Sequence, residues 1–146
     1  MSDSRAIAAI SAALAHLLQP AGGDTLQLTL YRVTPNARLR NARPRPGEVT
    51  QPTMAVDLHY LIAFAGDAGL PLGKVLTILA ANAVLTAETI DAHVADPGLH
   101  GAVAPGEILQ IGLETPTLDE ASNLWRALAQ PLRPALFYTV GPVLLA

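Results

Sequence analysis

The order of hydrophobic periods along the chain predicts an α+β domain: a largely antiparallel sheet of four main strands, with helices packed on at least one face and a long hairpin loop projecting from it. Two observations lead there. Segments with the two-residue period of a strand and segments with the three-to-four-residue period of a helix follow one another as helix, strand, strand, helix, strand, helix, strand. The segment Pro52–Gly66 is apolar on both sides of an extended chain. Val56, Leu58, Tyr60, Ile62 and Phe64 share one side, and Leu61 and Ala63 lie on the other with Asp57 and His59. It reads as a central strand covered on most of both faces.

The first helix is expected to be capped by Ser2 or Ser4 and to end at Leu18 or Gln19, before Pro20 and the Gly22-Gly23 pair. Its apolar run, Ala6 to Leu18, has the length of a signal-peptide core. Asp3 cancels Arg5, however, and Ile7, Ile10, Leu14 and Leu17 recur at helical spacing, so the run reads as an amphipathic helix. Thr25–Val33 alternates as the first strand. From Thr34 to Thr53 neither period holds: Pro35, Pro44, Pro46 and Pro52 prevent regular pairing, and five arginines (Arg32, Arg38, Arg40, Arg43, Arg45) share a window without an acid between them. A long connection between two strong strands suggests a hairpin loop that presents its arginines outward.

Beyond the central strand, Leu72 to about Ala87 reads as a helix that is apolar nearly all round, so it should touch the sheet and a second apolar surface. Thr86 to Val94 suggests a short second helical piece, and Leu99 to Gly106 an exposed loop. Glu107–Glu114 alternates as a third strand, with Leu109, Ile111 and Leu113 facing one way. Thr117-Leu-Asp-Glu120 is a capping box, opening a helix that carries Leu118, Ala121, Leu124, Trp125 and Leu128 inward and stops before Pro131. Ala135–Leu145 alternates as the last strand. Pro142 lacks the N–H that a ladder needs, which points either to an edge strand or to pairing that ends near Gly141.

All 146 residues fit one domain. Only 14% of residues are charged, against about 25% in an ordinary soluble domain, so the surface is partly apolar and suited to burial in an assembly. The net charge is -3; with five positive charges in the arginine window, the remainder carries -8. One face is then basic and the rest acidic. The absence of cysteine excludes disulfides, thiolate nucleophiles and cysteine-type zinc sites. The other long apolar run, Leu70 to Ala87, contains Lys74 and Asn82 and is short for a membrane span of about 20 residues, so no transmembrane segment is expected.

Few residues invite chemistry. Asp57 and His59 project from the same strand face and could orient one another as carboxylate and base, but no serine or cysteine stands in a nucleophile motif, so structural pairing is favoured over catalysis or partner contact. His16, His59, His93 and His100 lack metal-ligand spacing, and neither metal nor cofactor is expected. Trp125 is read as a core anchor over an interface residue. Arg133, between Pro131 and Pro134, either orients the turn into the last strand or meets a neighbour. The arginine loop fits protein docking better than nucleic acid, because no aromatic residue or lysine is interleaved from Arg38 to Thr53; a merely solvated loop is the third reading.

Four blocks carry a resemblance: Leu30-Tyr-Arg-Val-Thr-Pro-Asn-Ala-Arg-Leu-Arg-Asn-Ala42, Ala55-Val-Asp-Leu-His-Tyr-Leu-Ile62, Glu120-Ala-Ser-Asn-Leu-Trp-Arg-Ala-Leu128 and Tyr138-Thr-Val-Gly-Pro-Val-Leu-Leu145. In this order they resemble the tail-terminator or cap proteins of contractile injection systems, the phage-tail-like particles that include antifeeding prophages and virulence cassettes. The resemblance implies a non-enzymatic structural subunit, forming a sixfold ring that closes the inner tube and engages the last sheath layer. It would be made in the cytoplasm of the producing bacterium as part of an assembled particle, without membrane contact. Arg38, Arg40, Arg43 and Arg45 are then the expected contacts with tube or neighbouring subunit. Tyr138, Val140 and Val143 of the last strand are the candidate sheath contact by strand addition. A small nucleic-acid-binding or adaptor module using the arginine loop is the alternative. The link from Leu18 to Thr25 is shorter than many members of that family carry, and others continue beyond the last strand.

Overall fold

The computed structural model describes residues 2–37 and 54–146. Helix α1 (Ala6–Gly22) leads into strand β1 (Leu26–Pro35); β2 (Met54–Phe64) follows, then α2 (Gly69–Ala81), β3 (Val84–Thr86), α3 (Ala87–Ala92), β4 (Ile108–Glu114), α4 (Leu118–Ala127) and β5 (Ala135–Leu145). The strands form one sheet in the order β1-β2-β5-β4-β3, with every neighbouring pair antiparallel. The α+β class therefore stands, with five strands instead of four. The additional strand, β3, lies inside the span expected to be helical. Asn82 ends α2, its backbone N–H and its side-chain amide both donating to the Ile78 carbonyl, and Val84-Leu85-Thr86 is too short to display a period of two.

The centre of the sheet is β2 against β5, and apolar layers cover it on both faces. On one face Leu58, Tyr60, Ile62 and Phe64 of β2 and Val140 and Val143 of β5 pack with Ile10, Leu14 and Leu18 of α1 and Val75 and Leu79 of α2. On the other, Leu61, Ala63 and Phe137 meet Trp125 of α4, which is 1% exposed. Trp125 is thus a core anchor. The Thr117–Glu120 capping box forms as read, the Thr117 hydroxyl accepting from the Glu120 N–H at 3.1 Å. Leu118 departs from expectation: at the first position of α4 it stays 71% exposed, beyond the edge of the apolar layer.

Both termini of α1 differ from the expectation. Neither serine caps it: the N-cap is Arg5, and Ser2 is fully buried elsewhere. The Ser2 hydroxyl donates to Glu107 at 2.6 Å and accepts from the Ala104 N–H, while its backbone pairs with Leu144 and Ala146. Pro20 lies within the helix, in its last turns, where its fixed φ is helical and only one intrahelical N–H is lost. Gly23, at φ 53, ends α1 instead. Helix α2 starts earlier than expected because Pro71 falls in its first turn, where no N–H is needed. The stretch Leu99–Gly106, expected as an exposed loop, buries Ala102 and Val103: the Ala102 carbonyl accepts from Asp3, and Asp91 accepts from the Gly101 N–H.

Strand β5 crosses β2 at a bulge, where the register slips between Val56 and Leu58. Gly141 sits against it so closely that a Cβ there would overlap the Asp57 carboxylate and stand 3.1 Å from the Val56 carbonyl oxygen. We expect Gly141→Ala to lower the free energy of unfolding by about 1–3 kcal/mol, as overpacked sites do; urea denaturation of the two proteins measures it, and equal midpoints would contradict the close approach.

Candidate interaction surface

The residues singled out for partner contact fare differently. Arg38, Arg40, Arg43 and Arg45 lie outside the described residues. Tyr138, Val140 and Val143 belong to β5, and β5 is an interior strand. Val140 and Val143 are 0% exposed and Tyr138 is 6%. One side of β5 is paired with β2 from Ala135 to Leu145, and the other with β4 from Phe137 to Gly141. Past Pro142, where the pairing with β4 has ended, Ser2 takes over with a bridge to Leu145. Of the two explanations for Pro142, pairing that stops at Gly141 is correct and the edge strand is not. Ser2 supplies the piece of edge that a proline-containing strand leaves open.

The edges of the sheet are β1 and β3. Strand β3 has three residues and runs straight into α3, whereas β1 has ten. Among the described residues nothing pairs with the outer side of β1. From Leu26 to Leu30 it is regular, with Leu26, Leu28 and Leu30 packed on the α1 face. A bulge at Tyr31 then shifts its register against β2, and Arg32, Val33 and Pro35 are exposed. Arg133 steadies this edge from within the chain: its guanidinium lies over the Trp125 ring at 5.1 Å and donates to the Gln27 side-chain carbonyl. Arg133 is thus engaged within the chain, at the approach to β5.

Where α4 stops covering the second face, the sheet turns polar. Here β1 and β2 bring Thr34 and Asn36 beside His59 and Asp57. Asp57 and His59 do not pair with each other but with separate partners. His59 Nε2 lies 2.7 Å from the Thr34 hydroxyl and its Nδ1 3.2 Å from Glu114 Oε2, while Asn36 donates to both Asp57 oxygens at 3.1 and 3.2 Å. Glu114 reaches His59 from two strands away, across β5, whose Thr139 stands opposite both His59 and Gly112. Sequence reasoning missed Glu114; only the strand order brings it to His59. The hydroxyl–imidazole–carboxylate line ties β1 to β4 across the sheet, with the Thr139 hydroxyl buried beneath it. Partial burial pushes the Glu114 carboxyl up, but the Thr139 hydroxyl, the hydrogen bond and charge of His59, and the Arg32 charge outweigh it and hold the group below its usual value.

The family model described as the Pvc16 N-terminal domain matches residues 4–146. The chain belongs to this family. Two solved structures resemble this Pvc16-type domain. One is the sheath/tube terminator of the PVC extracellular contractile injection system in its extended state, with a TM-score of 0.63 and 19% identity over 95% of this chain and 56% of that one. The other is the tube-terminating cap of the anti-feeding prophage, with a TM-score of 0.60 and 18% identity over 94% of this chain and 54% of that one. Likeness at this identity concerns the fold, and the chain spans just over half the length of the solved chains it matches. No curated protein matches it.

The depressed Glu114 group makes part of the stability of this domain depend on acid. A carboxyl whose folded pKa is lowered stabilises the fold above its ordinary value of 4.5, and that stabilisation is lost as the pH falls through the folded pKa. We expect Glu114→Gln to be less stable than the parent near neutral pH, by about 0.5 kcal/mol or less because the group is largely solvent-screened, and the difference to close below pH 4.5. Urea melts across this range check the sign.

Proposed function

We propose that this chain is a structural cap, or tail-terminator, subunit of a contractile injection system, ending the inner tube and engaging the last sheath layer. The observation that carries the reading is the Pvc16-type fold along nearly the whole chain, shared with a sheath/tube terminator and with a tube-terminating cap. In the proposed particle six copies form a ring. Each subunit of such a ring presents two different patches that meet head to tail, and exposed Leu70, Leu76, Val84, Ile108, Leu113 and Leu118 supply apolar surface for burial there. The role is that of a non-enzymatic part, made in the producing cell's cytoplasm and carried in the assembled particle.

Arg38, Arg40, Arg43 and Arg45 are proposed as contacts with the tube or with the neighbouring subunit, on the ground of their charge and the fit of guanidinium groups to carboxylate-bearing surfaces. For the sheath, an extended segment adding to the sheet would use the outer side of β1, since β5 is enclosed on both sides.

Deletion of the gene is expected to leave tubes or sheaths of uncontrolled length, or few intact particles, when lysates are viewed by electron microscopy; normal particles in normal yield would refute the cap. Because the chain has no cysteine, single cysteines can be placed at Thr29 on β1 and at Thr86 on β3. In assembled particles the Thr29→Cys variant should cross-link to sheath protein and Thr86→Cys should not; the reverse pattern would move the sheath contact away from β1.

A further inference from the structure

Two of the four histidines face each other on the surface. His16 projects from α1 and His93 follows the last turn of α3, 77 positions along the chain, yet their Nδ1 atoms lie 2.9 Å apart. The ring centroids are 5.1 Å apart and the ring planes tilted by 49°. The other two imidazoles are engaged within the chain: His100 Nε2 lies 2.6 Å from the Val94 carbonyl oxygen, and His59 is held between Thr34 and Glu114. Only the His16–His93 pair therefore offers two ring nitrogens to a common point.

Two neutral imidazoles that meet through Nδ1 can satisfy each other only if one carries the proton and the other does not. A cation that accepts both lone pairs removes that requirement. Imidazole nitrogens suit divalent copper, nickel and zinc. The rings meet nearly end to end, so each has to swing about its Cβ–Cγ bond to aim at a shared ion; His16 is exposed and His93 half-buried, which leaves that motion room. Among the described residues no group of three or more His, Asp or Glu side chains converges. Water, or a group from another molecule, would complete the coordination.

We propose that His16 and His93 form a two-imidazole site for a divalent transition-metal ion of the kind that imidazole favours, such as copper(II) or nickel(II), which clips α1 to α3. Copper should bind more tightly, following the general order of divalent affinities. The test is calorimetric titration of tag-free protein with Ni2+ and with Cu2+, together with thermal melts in the presence of each ion. One ion per chain is expected, with a melting temperature that rises with free ion concentration. Losing one arm of the chelate should weaken binding about tenfold or more in both His16→Ala and His93→Ala, while His100→Ala binds as the parent does. Circular dichroism without metal checks that the variants fold. Binding that is absent, that is unaltered in either His16→Ala or His93→Ala, or that falls equally in His100→Ala, would overturn the site.

Discussion

The rest of the structure depends on one constraint, the burial of the β2–β5 pair on both faces. A strand whose alternate residues are Leu58, Tyr60, Ile62 and on the other side Leu61 and Ala63 cannot leave either face to water. Two apolar lids are therefore required. Helix α1, backed by α2 and α3, covers one face, and α4 with Trp125 covers part of the other. The polar half of that second face begins where the reach of α4 ends, and there β2 carries Asp57 and His59 instead of apolar residues. Each finds a partner from elsewhere in the chain, Asp57 from Asn36 just past β1 and His59 from Glu114 on β4, as a half-covered polar row requires. The same strand thus fixes both the core and the position of the polar line from Thr34 to Glu114.

Much of this was legible in the residues because the signals are local. Alternation marked β1, β2, β4 and β5; the Thr117–Glu120 box marked the start of α4; and an aromatic residue on the apolar side of that helix marked the core anchor. What could not be read depends on distance through space. Ser2 looks like a helix cap because a serine before an apolar run usually is one, but its hydroxyl is taken by Glu107, 105 positions away. Pro142 looks like the mark of an edge strand until the pairing of β5 with β4 is seen to stop at Gly141 and Ser2 to continue it. Strand β3 hides in a helical pattern because three residues cannot show a strand's period. Glu114 carries no local hint of His59, since the two meet only once β5 lies between their strands. The resemblance read from four blocks pointed to the family that the chain belongs to, while the contacts proposed from it for the last strand required the strand order.

Helix α2 extends the same logic to the surface. Its residues are apolar nearly all round, and the sequence therefore called for a second apolar surface against it. Within the described residues α2 meets α1 as well as β2, but part of its apolar surface stays open: Val75 and Leu79 are buried, whereas Leu70 is 70% and Leu76 40% exposed. A helix of this composition is stable in water only because its neighbours already hold one stripe. The apolar remainder, together with the low proportion of charged residues, fits a protein whose surroundings in use are largely other protein, as the cap reading requires.

The two ends of the sheet are not equivalent, and the difference narrows where an added strand could lie. At the β3 end the ladder is three residues long and α3 begins at once, so an incoming segment would find few backbone groups to pair with. At the β1 end ten residues are available, but not uniformly. The bulge at Tyr31 breaks the register, Arg32 adds a charge, and Pro35 has no N–H to give; these are the features with which proteins blunt an edge against indiscriminate pairing. They stand at one end of the strand only. Leu26–Leu30 remains straight and is steadied from behind by the hold of Arg133 on Gln27. An edge blunted along half its length and regular along the other half leaves room for a short partner strand in one place and works against sheet-on-sheet growth, as the proposed terminator role would need.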